Sequence, residues 1–531
     1  MKETVNSDLV FAGDAPAATL TGRVRAGTLV RLARGIYSRD LAASPERQIR
    51  DNWPQVAGRL FPGAVITDRS GRTSGPVRGV LYLAHEGRDR NAELPGLTIS
   101  ARPGIGPIDG DIALPGGLHQ ASRGRALAEN SRPSRSRGGA APRTLTEPEL
   151  ADWVDDLCRT DGEERLLRYR TQAEQLAPEL AVSASELEAT SSLIGAALGT
   201  RSVVTKSKSL AARQKGQPYD RTRTQRFDLL VDALRSAAPQ SRPVQEGSER
   251  RTHLPFYEAY FSNYIEGTEF TIDEAAAAVY DGDVPYGRSA DGHDLIGTFE
   301  VVNDEAEMSR LATSAPEFLE ILRSRNAAVM IGRPEKRPGM FKEAANQAGQ
   351  TLFVNPELVP GTLSEGIRRL GELDTAWERA VYTAFVVAEV HPFDDGNGRV
   401  CRIMMNSELH VGRQSRIIVP TSLRNDYLDG LRLLSRQDDP SVLIKSMRLL
   451  HNYTAAIDFT DFNDALAQLH ETNAFEDPVR GAELRVPQRE LPPIDYGSEL
   501  DVSSAEARAS GYVIPYRRAD GTPVSGYRKP H

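Results

Sequence analysis

The spacing of apolar and polar positions changes character several times along the 531 residues. From Leu20 to Arg50, short helix-like segments alternate with arginines (Arg23, Arg25, Arg31, Arg34, Arg39, Arg47, Arg50) that few acids oppose. Gly79–Ala84 and Leu97–Ser100 are β-type runs set between Gly and Pro. This part reads as α+β. The stretch Ser131–Arg143 (SRPSRSRGGAAPR) has no hydrophobic period and reads as a linker or exposed basic loop, so a boundary is expected near 145. Residues 146–252 carry apolar positions at helical spacing (EPELADWVDDLC, EERLLRYRTQAEQLA, RFDLLVDALRSA), which predicts a helical connector. A larger helical block covers 253–469. The remainder, 470–531, is a turn-rich tail in which two short β-type runs flank Asp520-Gly521, a hairpin signal. The fold class is multi-domain: a mainly α core preceded by a smaller α+β domain.

Composition narrows the function classes. The chain holds 65 basic and 73 acidic side chains, net charge -8, which excludes an obligate nucleic-acid coat and leaves room for a local basic face. Two cysteines, Cys158 and Cys401, are too few for a disulfide framework or a zinc cluster and fit a reducing compartment. The start, MKETVNSDLVFAGDAP, has acids and prolines where a signal peptide needs a basic stretch and then an apolar one. The longest apolar runs, such as Val381–Val390, are about half of the ~20 residues that cross a bilayer. A cytoplasmic protein without membrane contact is expected. Homo-oligomerisation stays open.

The segment that carries chemistry is His391-Pro-Phe-Asp-Asp-Gly-Asn-Gly-Arg-Val-Cys-Arg402. A Thr375-x-x-Glu378 capping box starts the helix before it, with Trp377, Val381, Ala384 and Ala388 on one stripe. Pro392 cannot continue that helix and disfavours the α conformation at His391, so the imidazole is presented at the helix end. Gly396-Asn397-Gly398 then feeds a second helix. A glycine-rich turn at a helix N-terminus aims free N–H groups and positive dipole at one point, an anion site suited to phosphate. Arg399 and Arg402 stand three apart and add forked donors on one face. Asp395 is a hard oxygen ligand for Mg²⁺ bridging two phosphates. His391 can take a proton from an attacking hydroxyl near neutral pH. Singly, each feature has a structural reading: a helix-end donor, an ordinary turn, a solvated arginine pair. Phe393 reads as a core anchor and Asp394 as solvent-facing. Their joint order is what points to chemistry.

That order resembles the Fic family signature, His-Pro-Phe-x-Asp/Glu-Gly-Asn-Gly-Arg-x-x-Arg, at every fixed position. The resemblance implies a helical core with a β-hairpin flap that transfers the AMP part of ATP to a Ser, Thr or Tyr hydroxyl of a protein substrate. It implies His391 as base and Asp395 as Mg²⁺ ligand. Gly396, Asn397 and Gly398 would form the phosphate cradle, and Arg399 and Arg402 would hold the β- and γ-phosphates. The Doc branch, which phosphorylates, has Lys at the position of Gly398, so the glycine favours nucleotidyl transfer. The likeness extends over about 255–460. Gly297–Asn303 looks like a helix common in these domains, Lys342–Phe353 occupies the place of the flap that clamps the target, and Arg424–Tyr427 looks like the adenosine-side element, with Tyr427 near the base. Ser435 stands where relatives often have Asn, so the nucleotide preference stays open.

A second motif is Ser262-Asn-Tyr-Ile-Glu266-Gly267. Tyr257, Tyr260, Phe261 and Tyr264 follow i, i+3, i+4, i+7, which predicts an amphipathic helix at about 254–267 with Ser262 and Glu266 on another face. Gly267 ends it, and Thr271-x-x-Glu274 caps the next helix. Alone, Glu266 reads as a surface acid near a helix end. Beside a Fic core, Ser/Thr-x-x-x-Glu-Gly/Asn resembles the inhibitory motif of self-restrained Fic proteins, in which the glutamate pairs with the second signature arginine, here Arg402, and Ser262 anchors the helix.

Gly27–Tyr37, followed by the β-type runs, resembles the N-terminal winged-helix region of AbiEi-type antitoxins over about 15–145. That likeness implies phosphate contacts to DNA from Arg31, Arg34 and Arg39. The alternative is a solvated basic face on a protein-interaction domain. Two hypotheses of different class follow. One is a Fic adenylyltransferase autoinhibited by Glu266. The other is a DNA-binding regulator of toxin–antitoxin character in which the Fic core is secondary, acts as the toxin, or removes AMP as a deAMPylase.

Overall fold

A computed structural model describes residues 8–87, 89–135, 141–244, 252–477 and 483–487, with strand residues 512–513, 516–517, 523–524 and 527–528. The chain divides into two units between Gly216 and Gln217. The stretch 146–252 thus contributes helices to both.

The first unit opens with a three-stranded antiparallel sheet, order β1-β3-β2, from β1 (Leu9–Phe11), β2 (Val30–Ala33) and β3 (Ile36–Ser38). Between β1 and β2 lies α1 (Ala17–Arg25); Gly35, at φ 77°, allows the tight turn from β2 into β3. A six-stranded mixed sheet follows, built from β4 (Val65–Ile66), β5 (Val80–His85), β6 (Arg90–Leu94), β7 (Leu97–Pro103), β8 (Ile112–Ala113) and β9 (His119–Gln120) in the order β6-β7-β5-β4-β9-β8. Pairs β5–β7 and β4–β9 are parallel, the others antiparallel. Burial of Leu81, Leu83, Leu97 and Ile99 makes its core with α2 (Pro45–Asp51) and α3 (Trp53–Leu60), through Ile49, Val56 and Ala57.

Helices α4 (Asp68–Thr73), α5 (Arg123–Asn130), α6 (Glu147–Asp161), α7 (Glu163–Leu176), α8 (Ala184–Ala197) and α9 (Lys208–Gln214) complete the unit. The Ser/Arg-rich stretch is tied down at both described ends. Ser131 is buried, and Arg143 donates to Asp68, Ser100 and the Leu83 carbonyl. Asp68, 1% exposed, needs that cation and Arg102 beside it, because an unpaired buried carboxylate is costly.

The second unit is mainly helical: α10 (Arg221–Ser236), α11 (Leu254–Ile265), α12 (Ile272–Ala276), α13 (Ser289–Asn303), α14 (Glu305–Met308), α15 (Ala315–Val329), α16 (Val359–Ile367), α17 (Ala376–Val390), α18 (Asn397–Val411), α19 (Arg424–Gln437), α20 (Ser441–Ala456) and α21 (Phe462–Glu471). At its centre α17 packs on α18 and is buried on every side from Ala380 through Val387. Phe227 of α10 meets Tyr382 and Phe385 edge-on, which seats α10 in this core. A short hairpin, β10 (Gln347–Ala348) and β11 (Thr351–Leu352), turns through Gly349 at φ 58°. In the tail, β12 (Tyr512–Val513) pairs with β15 (Tyr527–Arg528), and β13 (Tyr516–Arg517) with β14 (Pro523–Val524); Asp520-Gly521 lies outside the described residues. No described helix is long and apolar enough to cross a membrane.

Candidate functional site

Helix α17 starts at the Thr375–Glu378 capping box and stops at Val390, ahead of Pro392. His391 is its C-cap, in the left-handed region at φ 51°, ψ 62°, with its N–H on the Val387 carbonyl at 3.0 Å. The imidazole lies half-buried and face-stacked on Phe353, just past β11, with centroids 3.8 Å apart and planes 6° from parallel. Desolvation pushes it down to about 4, with the nearby Lys342 ammonium adding and the Glu266 and Asp395 carboxylates opposing. Lys342 is itself 2% exposed, donates from Nζ to Asn346 Oδ1 at 2.6 Å, and is pushed by burial, then by Arg223, down to about 7.

The loop after His391 is clasped by Asn397, whose Oδ1 accepts from the Phe393 N–H at 2.8 Å while Nδ2 donates to the Phe393 carbonyl at 2.9 Å. Its side chain is spent on the loop, so only its backbone N–H is left to serve an anion. Gly396, at φ 77°, caps α18; a Cβ there would meet Met330 Sδ at 2.7 Å. Asp395 accepts from the Gly396 N–H at 2.6 Å and is 40% exposed. Asp394 is exposed, as expected, and pairs at the surface with Arg337 at 2.9 Å.

Gly398 carries the most specific steric message: a Cβ would lie 2.0 Å from Glu266 Oε1. The Glu266 carboxylate therefore sits over the first turn of α18, where backbone N–H groups and dipole attract negative charge. Arg402 holds it there, with Nη2 2.8 Å from Oε1. The same guanidinium donates from Nε to Ser262 Oγ at 2.9 Å and from Nη2 to the Ser262 carbonyl at 2.8 Å. Burial works to raise the Glu266 carboxyl, but Arg402, with Arg399 and His391, holds it below the ordinary range.

Helix α11, which presents Ser262 and Glu266, is buried nearly all round rather than amphipathic. Its polar Glu258 meets Asn406 at 2.8 Å and Arg416 at 3.3 Å inside the fold. Those partners lie far along the chain, so the periodicity alone read that face as solvent.

A cavity of 670 Å³ gathers Glu266, His391, Gly398, Arg402 and Tyr427, walled by Phe385, Ala388 and hairpin residues 348–351 and 353. Tyr427 is buried against Cys401, with OH and Sγ 3.8 Å apart. Ser435 lines the same cavity, its hydroxyl without a partner among the described residues. Asp395, Gly396, Asn397 and Arg399 do not line it. Arg399 faces Asp294 on α13 at 2.5 Å, both nearly fully buried, and touches Asn263 Oδ1 at 3.3 Å. Asp294 has no motif around it, and neither has Asn326, whose Nδ2 fixes the Asp395 carbonyl at 3.0 Å. No group of three or more His, Cys, Asp or Glu gathers as a metal cage among the described residues.

Residues 319–409 match the Fic/DOC family profile. The chain is similar to Protein adenylyltransferase Fic of Drosophila persimilis, 26% identical over 251 residues, covering 44% of this chain and 46% of the relative. It is also similar to Protein adenylyltransferase fic-1 of Caenorhabditis elegans, 23% identical over 188 residues, covering 34% and 37%. The chain thus spans about half the length, or less, of these relatives. Among solved structures, a Fic domain containing signaling protein from Bacteroides thetaiotaomicron is 17% identical, covering 44% of this chain and 92% of that one, TM-score 0.34. C. elegans Fic-1 is 16% identical, covering 62% and 90%, TM-score 0.34. Residues 319–409, which carry His391 and the glycine turn, are a Fic domain.

Proposed function

We propose that the second unit transfers AMP from ATP to a Ser, Thr or Tyr hydroxyl of a protein and that Glu266 restrains it. The hydroxyl oxygen attacks the α-phosphorus, the bond to the bridging oxygen breaks, pyrophosphate leaves, and His391 takes the hydroxyl proton. Gly398 with the backbone of Gly396 and Asn397 cradles phosphate, Arg402 holds its outer oxygens, and Tyr427 bounds the nucleoside side. Arg399, engaged by Asp294, supports the cradle from behind. The half-exposed Asp395 suits Mg²⁺, which is held by one or two carboxylates plus substrate phosphates rather than by a cage. The observation that carries the reading is the Glu266 carboxylate seated over Gly398 and paired with Arg402, an anion in the place a phosphate needs. Two buried cysteines, Cys158 and Cys401, neither in a disulfide, favour a reducing, cytoplasmic setting.

The test is mass spectrometry of cell lysate treated with the Glu266→Gly chain and ATP. AMP added to a named Ser, Thr or Tyr is the expected result; no adduct on any protein overturns the reading. The reverse reaction, removal of AMP by a water that Glu266 positions, uses the same residues. Its signature is loss of AMP from a modified protein with the wild-type chain and not with Glu266→Gly.

A second reading concerns the first unit. Arg31, Arg34 and Arg39 are exposed on and beside the β2–β3 hairpin, and α1 ends in Arg23 and Arg25. We propose that this face contacts DNA phosphates in the manner of a winged helix. Gel shift on the upstream promoter should show affinity that falls steeply with salt and weakens in the Arg31→Ala/Arg34→Ala double variant. Binding unchanged by either sinks it.

A further inference from the structure

The hairpin that covers His391 has two residues per strand, too few to hold its own shape. Its register shows where support must come from. The Phe353 N–H reaches the Asn346 carbonyl at 3.2 Å, so that pair is hydrogen-bonded. Bonded and non-bonded pairs alternate in an antiparallel ladder. Gln347 and Leu352, next in register, are the non-bonded pair, and the Leu352 carbonyl points away from β10.

That outward carbonyl accepts from Arg223 Nη2, on the first turn of α10. Nη1 of the same guanidinium donates to Glu389, two residues before His391 on α17. The Glu389 side chain is 2% exposed and lines the cavity, and it also accepts from Arg226 Nη1 at 2.9 Å. Arg226 is in turn tied to Asp438 at the end of α19 at 2.9 Å. On the same strand, Thr351 Oγ1 accepts from Arg436 Nε at 2.9 Å. Each residue of β11 is thus held by an arginine. Arg223 is the one that joins the hairpin to the helix carrying the base. A planar fork serves two acceptors at once in a fixed geometry, which an ammonium does not. The buried carboxylate at the junction holds both arginines, Arg223 and Arg226, because its charge is costly to bury without close cations.

We propose that Arg223 is a positioning residue for adenylyl transfer. Held by Glu389, it fixes β11 at the height where Phe353 covers His391 and so sets where a target hydroxyl meets the base. The inference rests on the transfer reading above.

The test uses the full chain with Arg223→Gln and Arg223→Lys. The lysine keeps a cation for Glu389 and so preserves the fold if the glutamine does not; its melting temperature serves as the check. Amide hydrogen exchange at residues 347–353 should accelerate about tenfold in either variant, the loss expected for one charge-assisted bond, while α18 amides keep wild-type rates. In the Glu266→Gly background, auto-modification with labelled ATP should fall about tenfold and ATP affinity should stay within twofold. Unchanged exchange at 347–353 in Arg223→Lys overturns the tether. Faster exchange with undiminished auto-modification overturns the positioning role. A Glu266→Gly parent that transfers no AMP refutes the transfer reading and the role with it, and the exchange measurement still decides the tether.

Discussion

Removing the Glu266 carboxylate is the most informative perturbation. Glu266 caps α11 at φ −83°, an ordinary value, so glycine there deletes the side chain with little backbone cost. What is lost is one contact: Oε1 to Arg402 Nη2 at 2.8 Å, between a guanidinium 5% exposed and a carboxylate 35% exposed. A hydrogen bond between charged groups contributes about 1.5–3 kcal/mol, and the open flank of Glu266 places it at the lower end, about 1.5 kcal/mol. That corresponds to on the order of tenfold in the fraction of molecules whose anion site is clear. The assay is the initial rate of auto-modification with ATP labelled at the α-phosphate, at ATP below saturation. Glu266→Gly should raise the rate about tenfold. Glu266→Gln, which keeps shape and an acceptor oxygen and loses the charge, should fall between. A rise under about twofold in Glu266→Gly, with ATP binding intact, refutes the argument that the carboxylate over Gly398 restrains the site.

His391→Ala should abolish transfer while circular dichroism and melting temperature stay near wild type; residual transfer above about 1% of the parent rate removes it as the base. Without nucleotide, NMR titration should find His391 at about 4 rather than at the ordinary histidine value, and lower still in Glu266→Gly, because that carboxylate opposes the depression. The sign for stability follows. Between the unfolded value, about 6.5, and the folded one the unfolded chain binds the extra proton, so this contribution is present above about 6.5 and is lost as pH falls toward about 4. A His391 titration at 6.5 contradicts the desolvation argument. Asp294→Asn strips a buried counter-charge from Arg399 and Arg333 and should cost about 3 kcal/mol in denaturant unfolding; a loss under about 1 kcal/mol means that the pair is dispensable.

What the chain disclosed by itself was local. The Thr375–Glu378 box, Pro392 and Gly396 act within a few residues, and each delimits the helix end it was read to delimit. The helix bearing Ser262 and Glu266 was legible for the same reason, whereas the hairpin at Lys342–Phe353 was expected only from the family resemblance. What stayed hidden depends on partners far along the chain. Arg223 meets Glu389 across 166 positions, and Arg402 meets Ser262 across 140. Neither Asp294 nor Glu389 has a local pattern that marks it as buried, because an acid on a helix is ordinarily solvated. Residues 221–236 looked like a connector since amphipathic spacing reveals an apolar face and not its partner; Phe227 supplies that partner in Tyr382 and Phe385.

The backbone at His391 has one more consequence. A non-glycine residue in the left-handed region carries about 1–2 kcal/mol of strain, and the stack on Phe353 returns about 0.5–1.5 kcal/mol of it. The two terms nearly cancel only while the ring is covered. Any displacement of the hairpin would therefore leave the strain at the end of α17 without its offset and free the His391 ring to turn, so that the position of β10–β11 and the mobility of that imidazole are coupled.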